Sequence, residues 1–352
     1  MIKAKVIGAG GYGGIGIVEL LTQHPDTEIL CLVAKDSVGK PIGELYPHLA
    51  GTIDLPILPP DAPDVQVDAD VVFMATPDRV GMELAAAELE RGAKVIDYSG
   101  DFRFGTEADY AEYATRIGLD TVHASPELLP RSSYGLPELH RDAINPECDI
   151  VGNPGCFAVS CLLGLAPATA NSLIDPGTIS CDCKTGISGA GKKPNEAFHY
   201  PARYENMNAY RLAGHQHVCE IEQELSKLAG TEIQVTFTAQ VLPITRGIMS
   251  TLYADLADGQ NAGSVLDVYR DFYGDEPFVE VHDHTAEIGT IHVRGTNRAS
   301  LVVAVDDRTG RFRVVSYIDN LMKGQAGSAL QNMNLLFGLP ETSGLTRPGM
   351  YP

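Results

Sequence analysis

A short β-rich run, residues 2–7, stops at the glycines of Gly8-Ala9-Gly10-Gly11-Tyr12-Gly13-Gly14, and residues 15–21 resume with helical apolar spacing before His24 and Pro25. The pattern predicts a strand, a glycine turn and a helix. Gly8, Gly10 and Gly13 have the spacing of a phosphate-binding turn. The first glycine permits the tight bend, the second lets the backbone approach a pyrophosphate, and the third lets the helix pack on the strand. The helix N-terminus then faces the phosphates. Gly8, Gly10, Gly11, Tyr12 and Gly13 are therefore candidate cofactor contacts. A glycine-rich turn without a ligand is the bland alternative.

The elements that follow fit this start. Residues 28–34, 69–75 and 94–97 read as strands and 81–91 as a helix, and such alternation predicts a parallel sheet covered on both faces. Where an NAD-selective site places a carboxylate after the second strand, the chain has Lys35, Asp36 and Ser37. A cation and a hydroxyl there suit the extra phosphate of NADP, whereas a solvated loop would need neither.

The pattern changes near Gly152. A helix is expected from about Cys156, followed by β-rich runs at 178–185, 233–242, 249–256, 288–293 and 300–306. They read as a largely antiparallel sheet in an α+β domain. A strand at 313–317 and one helix over 319–337 close the chain. The expected division is a dinucleotide-binding domain over 1–152, a catalytic and dimerisation domain over 153–318, and a segment 319–352 packing back on the first. Two domains also suit 352 residues.

The formal charge of −20 argues against nucleic acid or an anionic membrane as partner. No segment reads as a membrane span or a signal peptide, so a cytoplasmic location is the default expectation. The seven cysteines are odd in number and scattered, which suits thiols better than a disulfide framework. The pairs Cys181/Cys183, His215/His217 and His282/His284 are each separated by one residue. Strand alternation explains such spacing, and no metal site is expected.

One cysteine stands apart. In Asn153-Pro154-Gly155-Cys156-Phe157 the thiol follows a turn and opens an apolar helix. Backbone N–H groups and the positive end of the helix dipole favour a thiolate there. The same amides suit an oxyanion formed when that thiolate attacks a carbonyl. Buried structural roles are expected for Cys31, Cys148, Cys161, Cys181, Cys183 and Cys219.

These residues carry a family signature. NPGCF at 153–157 and the N-terminal GxGxxG resemble the N-acetyl-gamma-glutamyl-phosphate reductases. So do DYSGDFR at 97–103, YGLPEL at 134–139, SGAGK at 188–192, GHQHVCEIEQEL at 214–225 and KGQAGSALQNMN at 323–334. The resemblance covers the whole chain. It implies a Rossmann domain plus an α+β catalytic domain like that of semialdehyde dehydrogenases. It also implies a cytoplasmic homodimer or homotetramer that reduces a small acyl phosphate with NADPH through a thioester on Cys156, in arginine biosynthesis.

The family pattern has two histidines, His215 and His217, of which one is the acid/base; His215 is narrowly favoured. Arg103, Ser188, Lys192 and Arg246 are candidates for holding the phosphate or the substrate carboxylate. Asn320 resembles the position that fixes the nicotinamide amide, with Gly324 and Gly327 allowing close approach to the cofactor.

Two departures stand out. Relatives commonly have serine at the position of Gly10, and arginine and proline where this chain has Gln216 and Cys219. The alternatives are the lysine-branch reductase, which handles an aminoadipyl phosphate on an acidic carrier protein, and an NADP-binding protein without chemistry. The first needs a basic groove, and the second has no use for Cys156.

Overall fold

The predicted strand, turn and helix at the N-terminus are β1 (Ile2–Ile7), the glycine turn, and a helix over Tyr12–Gln23. The strands that follow are β2 (Thr27–Val33), β3 (Ile57–Leu58), β4 (Val71–Met74), β5 (Lys94–Asp97), β6 (Ser132–Tyr134) and β7 (Ile150–Gly152). They pair in the order β3-β2-β1-β4-β5-β7-β6, every pair parallel. This is the doubly wound arrangement, with β1 flanked by β2 and β4 where the order reverses. The computed structural model describes residues 1–306 and 308–350, and the chain divides into two units.

The first unit comprises Met1–Pro154 and Gln325–Arg347. Its central strands are apolar on both faces, as a sheet covered twice requires: Val71 to Met74 are wholly buried. Lys5 of β1 is buried too. Its ammonium meets Glu88 at 2.7 Å and the Val65 carbonyl at 2.8 Å, which ties β1 to the helix Gly81–Glu90. The helix Gly327–Leu336 packs on the helix Tyr12–Gln23. Two of its buried side chains donate within this unit: Asn332 to the Gly135 carbonyl at 2.9 Å, and Asn334 to the carbonyls of Glu341 and Ser343.

The second unit comprises Gly155–Gly324 and, of the described C-terminal residues, 348–350. Its strands are β8 (Ser180–Thr185), β9 (Asn208–Tyr210), β10 (Thr236–Val241), β11 (Ile248–Asp255), β12 (Val279–His282), β13 (Ala299–Asp306) and β14 (Arg311–Ile318). They pair in the order β12-β13-β14-β11-β8-β10-β9. Four of the six pairings are antiparallel; β8 with β10 and β12 with β13 are parallel. The sheet is thus mainly antiparallel but mixed.

The helix Cys156–Ala170 lies on β11 and β14 and is buried from Phe157 to Thr169. The hydroxyls of Tyr269 and Tyr273 donate to its Gly164 and Leu163 carbonyls. On β8, Cys181 and Cys183 point to the same buried side as alternation requires, and the Cys161 and Cys183 sulfurs are 3.5 Å apart.

Two expected elements differ. Residues 288–293 do not form a strand; a short helical turn, Thr290–Val293, follows Gly289, and the edge strand is Val279–His282 instead. The five residues between Gly289 and Gly295, with Ile291 and Val293 as the apolar pair, are too few to distinguish the two conformations by period. Nor is 319–337 one helix. A π-turn over Met322–Ala326 precedes the α-helix Gly327–Leu336, where Gly324 and Gly327 weaken regular α-helical continuation.

Candidate functional site

In the first unit the phosphate-type turn is built from backbone. Gly8 has φ +88, and a Cβ there would lie 2.2 Å from the Ala75 carbonyl oxygen, so only glycine fits. Its N–H donates to Val33 O at 2.8 Å, while Gly11 N–H donates back to Gly8 O at 3.0 Å. Tyr46 holds the Gly10 carbonyl through its hydroxyl at 3.0 Å.

The helix starts at Tyr12 with Gly11 as cap residue and no side chain capping its N-terminus. The close packing expected at Gly13 belongs to Gly14, whose Cβ would stand 2.2 Å from Gly8 O and 2.7 Å from Ala9 Cα. A Cβ on Gly13 would meet only the Gln325 side chain. An uncapped helix start at the sheet's reversal point, with no room for side chains at Gly8 and Gly14, fits a dinucleotide pyrophosphate. Lys35 is exposed beyond β2, and Ser37 sits in a left-handed turn with φ +61.

The DYSGDFR segment at the end of β5 is wholly buried. Arg103 Nε donates to Asn153 O at 2.8 Å and its Nη2 to Tyr98 O at 2.5 Å. These bonds tie the segment to the residue that opens NPGC, a positioning arrangement more than an anion clamp. Asp101 caps the helix after β4 by accepting from the Arg79 and Met82 amides. Asp97 lies beside it, held by Ser99. Burial, and then the Asp101 charge, pushes the Asp97 carboxyl well above the usual range.

In the second unit Cys156 is the first residue of its helix and is half-buried. On one side a Cβ added to Gly155 would lie 2.3 Å from His217 Nε2 and 2.9 Å from Glu220 Oε1, so the imidazole and the carboxylate crowd the residue preceding the nucleophile. Glu220 Oε2 accepts the Gly155 N–H at 3.0 Å. His217 and Glu220 are neighbours three apart on the helix His217–Ala229. On the other side Gly324 abuts the Cys156 Cβ.

The two histidines occupy different places. His215 stands among Phe157, Phe237, Tyr210 and His217, with ring centroids 4.9 to 5.5 Å away. Its Nδ1 accepts the His217 N–H at 3.2 Å. Burial, aided by the Arg211 charge, pushes its imidazole down to about 4. Tyr210 is shifted up by burial and by the nearby Cys156 sulfur.

Two of the substrate-binding candidates, Ser188 and Arg246, cluster with Asn320. Its carboxamide oxygen accepts the Gly247 N–H at 2.8 Å and its nitrogen donates to Ser188 Oγ at 2.9 Å. Arg246, next to Gly247, pairs with buried Asp319 at 3.0 Å. Lys192 is half-buried, just past the turn Ile187–Ala190.

The comparisons with known proteins agree with this geometry. Residues 3–146 match the semialdehyde dehydrogenase NAD binding domain, and residues 156–320 match the semialdehyde dehydrogenase dimerisation domain. The chain is 43% identical over 352 residues to an N-acetyl-gamma-glutamyl-phosphate reductase of Desulforudis audaxviator, covering all of both chains. It is 44% identical over 354 residues to the protein of that name from Moorella thermoacetica, again over the full length of both. The chain belongs to the N-acetyl-gamma-glutamyl-phosphate reductases of the semialdehyde dehydrogenase family.

Solved structures of that wider family share the fold. Aspartate semialdehyde dehydrogenase II from Vibrio cholerae superposes with a TM-score of 0.72 at 18% identity, covering 96% of this chain and 99% of that one. The Candida albicans aspartate semialdehyde dehydrogenase with NADP gives 0.69 at 17%, covering 96% and 98%. Among the described residues no helix is long and apolar enough to cross a membrane.

Several residues of this reductase-family site are not visible to spacing arguments. Glu220 and Tyr210 reach Cys156 and its neighbour through tertiary packing, and Gly14 is masked by the adjacent GxGxxG count. Arg211 donates to Gln216, which brings a guanidinium to the segment holding His215 and His217.

Proposed function

We propose that this chain reduces N-acetyl-gamma-glutamyl phosphate to N-acetyl-glutamate 5-semialdehyde with release of phosphate, a step of arginine biosynthesis, using NADPH. The observation that carries this reading is Cys156 at the start of a buried helix, with His217 and Glu220 packed against the preceding Gly155, in a chain whose full length follows the family.

Ser188, Lys192 and Arg246 bind the substrate's anionic groups, while Asn320 holds the Ser188 turn and Gly247 in register. Arg103 positions the NPGC segment. The Cys156 thiolate forms a sulfur–carbon bond to the acyl carbon as the carbon–oxygen bond to phosphate breaks. His217 takes the thiol proton and passes it to the departing phosphate. Amides at the helix start stabilise the oxyanion.

A bound reduced nicotinamide supplies the hydride that turns the thioester into a thiohemiacetal. Its oxyanion re-forms the carbonyl, the sulfur leaves, and the imidazole, reprotonated from solvent, returns a proton to that sulfur. His217 is assigned as the acid/base and His215 as its positioning partner. The first has its ring at Gly155, whereas the second spends Nδ1 on the His217 amide and is held neutral.

Lys35 and Ser37 support NADP over NAD. The match to a dimerisation domain supports a homodimer or homotetramer, and a biosynthetic role supports a cytoplasmic location. The test is phosphate-dependent NADP reduction with N-acetylglutamate semialdehyde, run beside its aminoadipate counterpart. Turnover with the first and not the second is expected; turnover with neither sinks the assignment.

A further inference from the structure

We infer that Gly324, held in the π-turn Met322–Ala326, is a positioning residue that sets where the Cys156 sulfur stands. The inference rests on Cys156 being the nucleophile. A Cβ built on Gly324 would lie 2.7 Å from Cys156 Cβ and 3.3 Å from Cys156 Cα. Unbonded carbons settle near 3.5 to 4.0 Å, roughly 1 Å further apart. Neither atom is the far end of a flexible side chain, so one of the two backbones must move.

The π-turn has little freedom to retreat. Gly324 N–H donates to the Asp319 carbonyl at 3.0 Å, as does Met322 N–H at 3.2 Å. The Asp319 carboxylate is itself fully buried and fixed from three directions. It meets Arg246 at 3.0 Å, the Gly295 N–H at 2.7 Å and the Leu321 N–H at 2.8 Å.

Cys156 is hemmed in on its other side, where Gly155 is pinned by Glu220 and packed against His217. Behind it the helix is buried from Phe157 onward. The nucleophile therefore stands in a slot between two glycines, and a methyl group at 324 displaces the helix start. Single π-turns inserted before α-helices recur at functional sites, where they redirect the backbone by one residue. Here the redirected residue is the wall of that slot.

Gly324→Ala is the test, with Gly105→Ala as control because a Cβ at Gly105 meets nothing within 4 Å. An alanine at 324 is expected to lower kcat about 100-fold, the scale of a 1 Å misplacement at a reacting centre. The pH profile for alkylation of Cys156 by iodoacetamide moves as the sulfur shifts relative to the helix amides. Gly105→Ala behaves as the unmodified enzyme.

A thermal-melting cycle makes the cause explicit. Gly324→Ala lowers Tm in the native background and much less in a Cys156→Gly background, where the opposing Cβ is gone. If Gly324→Ala does not fold alone, the double variant should still fold as Cys156→Gly does. Equal loss in both backgrounds, or native turnover with a native alkylation profile, overturns the inference. Those results leave the nucleophile itself untouched, because alkylation of Cys156 would still abolish activity. A protein that keeps turnover after Cys156 is fully alkylated refutes the nucleophile assignment instead.

Discussion

Exchanging each histidine of the GHQH segment for asparagine separates the roles the geometry assigns them. With its imidazole pushed down to about 4, His215 is protonated at pH 7 in only about one molecule in a thousand. A general acid charged that rarely forfeits on the order of 4 kcal/mol before it can act, roughly the whole benefit that acid catalysis offers. His217 has its ring at Gly155, beside the nucleophile. Thus His217→Asn is expected to reduce kcat by about 100- to 10,000-fold. His215→Asn retains an acceptor that can cap the His217 amide and should cost about tenfold or less.

The same shift predicts a stability signature. His215 titrates near 6.5 when unfolded and near 4 when folded, so only the unfolded state takes up its proton as pH falls between those values. Its contribution is intact above pH 6.5 and is lost as pH falls toward 4, amounting to about 3 kcal/mol. Urea titrations at pH 7 and pH 5 should show a smaller acid-induced loss in His215→Asn than in the unmodified protein. Steady-state rates at pH 7 decide the catalytic part. A large kcat loss in His215→Asn with near-normal turnover in His217→Asn would falsify the assignment.

Three further outcomes are expected. Cys156→Ser keeps NADPH affinity, because the glycine turn lies in the other unit, while turnover falls by several orders of magnitude; mass spectrometry of the native enzyme with acyl phosphate and no NADPH should find an acyl group on the peptide holding Cys156. Lys35→Asp should erode the preference for NADPH over NADH, and equal use of both cofactors by the unmodified enzyme removes the role given to Lys35. Asp97→Asn should gain stability relative to the unmodified protein as pH rises above the ordinary carboxylate range. A carboxyl whose folded pKa is raised contributes stability below its unfolded pKa and loses it as pH climbs through the folded one. A constant difference across pH 4 to 8 in thermal melts contradicts that account.

What could be read from the residues divides by the range of the interaction. The β1 strand, the glycine turn and the helix after it were legible because each is specified within a few residues: an apolar run, glycines where a Cβ would strike Ala75 or Gly8, then a 3.6-residue period. The helix start at Cys156 was legible for the same reason. Short strands such as β3, β6 and β9 were not, since two or three residues carry no period and are held by neighbours far along the chain. The 319–337 segment misled because its apolar spacing continues through the π-turn, whose extra residue is fixed by Asp319 and by contact with Cys156.

The same reasoning accounts for the histidines. His215 and His217 differ by two positions and are chemically alike on paper. They are distinguished by what surrounds each ring: an aromatic cage and Arg211 for one, Gly155 for the other. Spacing alone contains no term for that difference, because desolvation arises only once Phe157 and Phe237, eighty residues apart in the chain, close around His215. Motif matching therefore finds the pair, and burial decides which of the two can carry a proton at neutral pH.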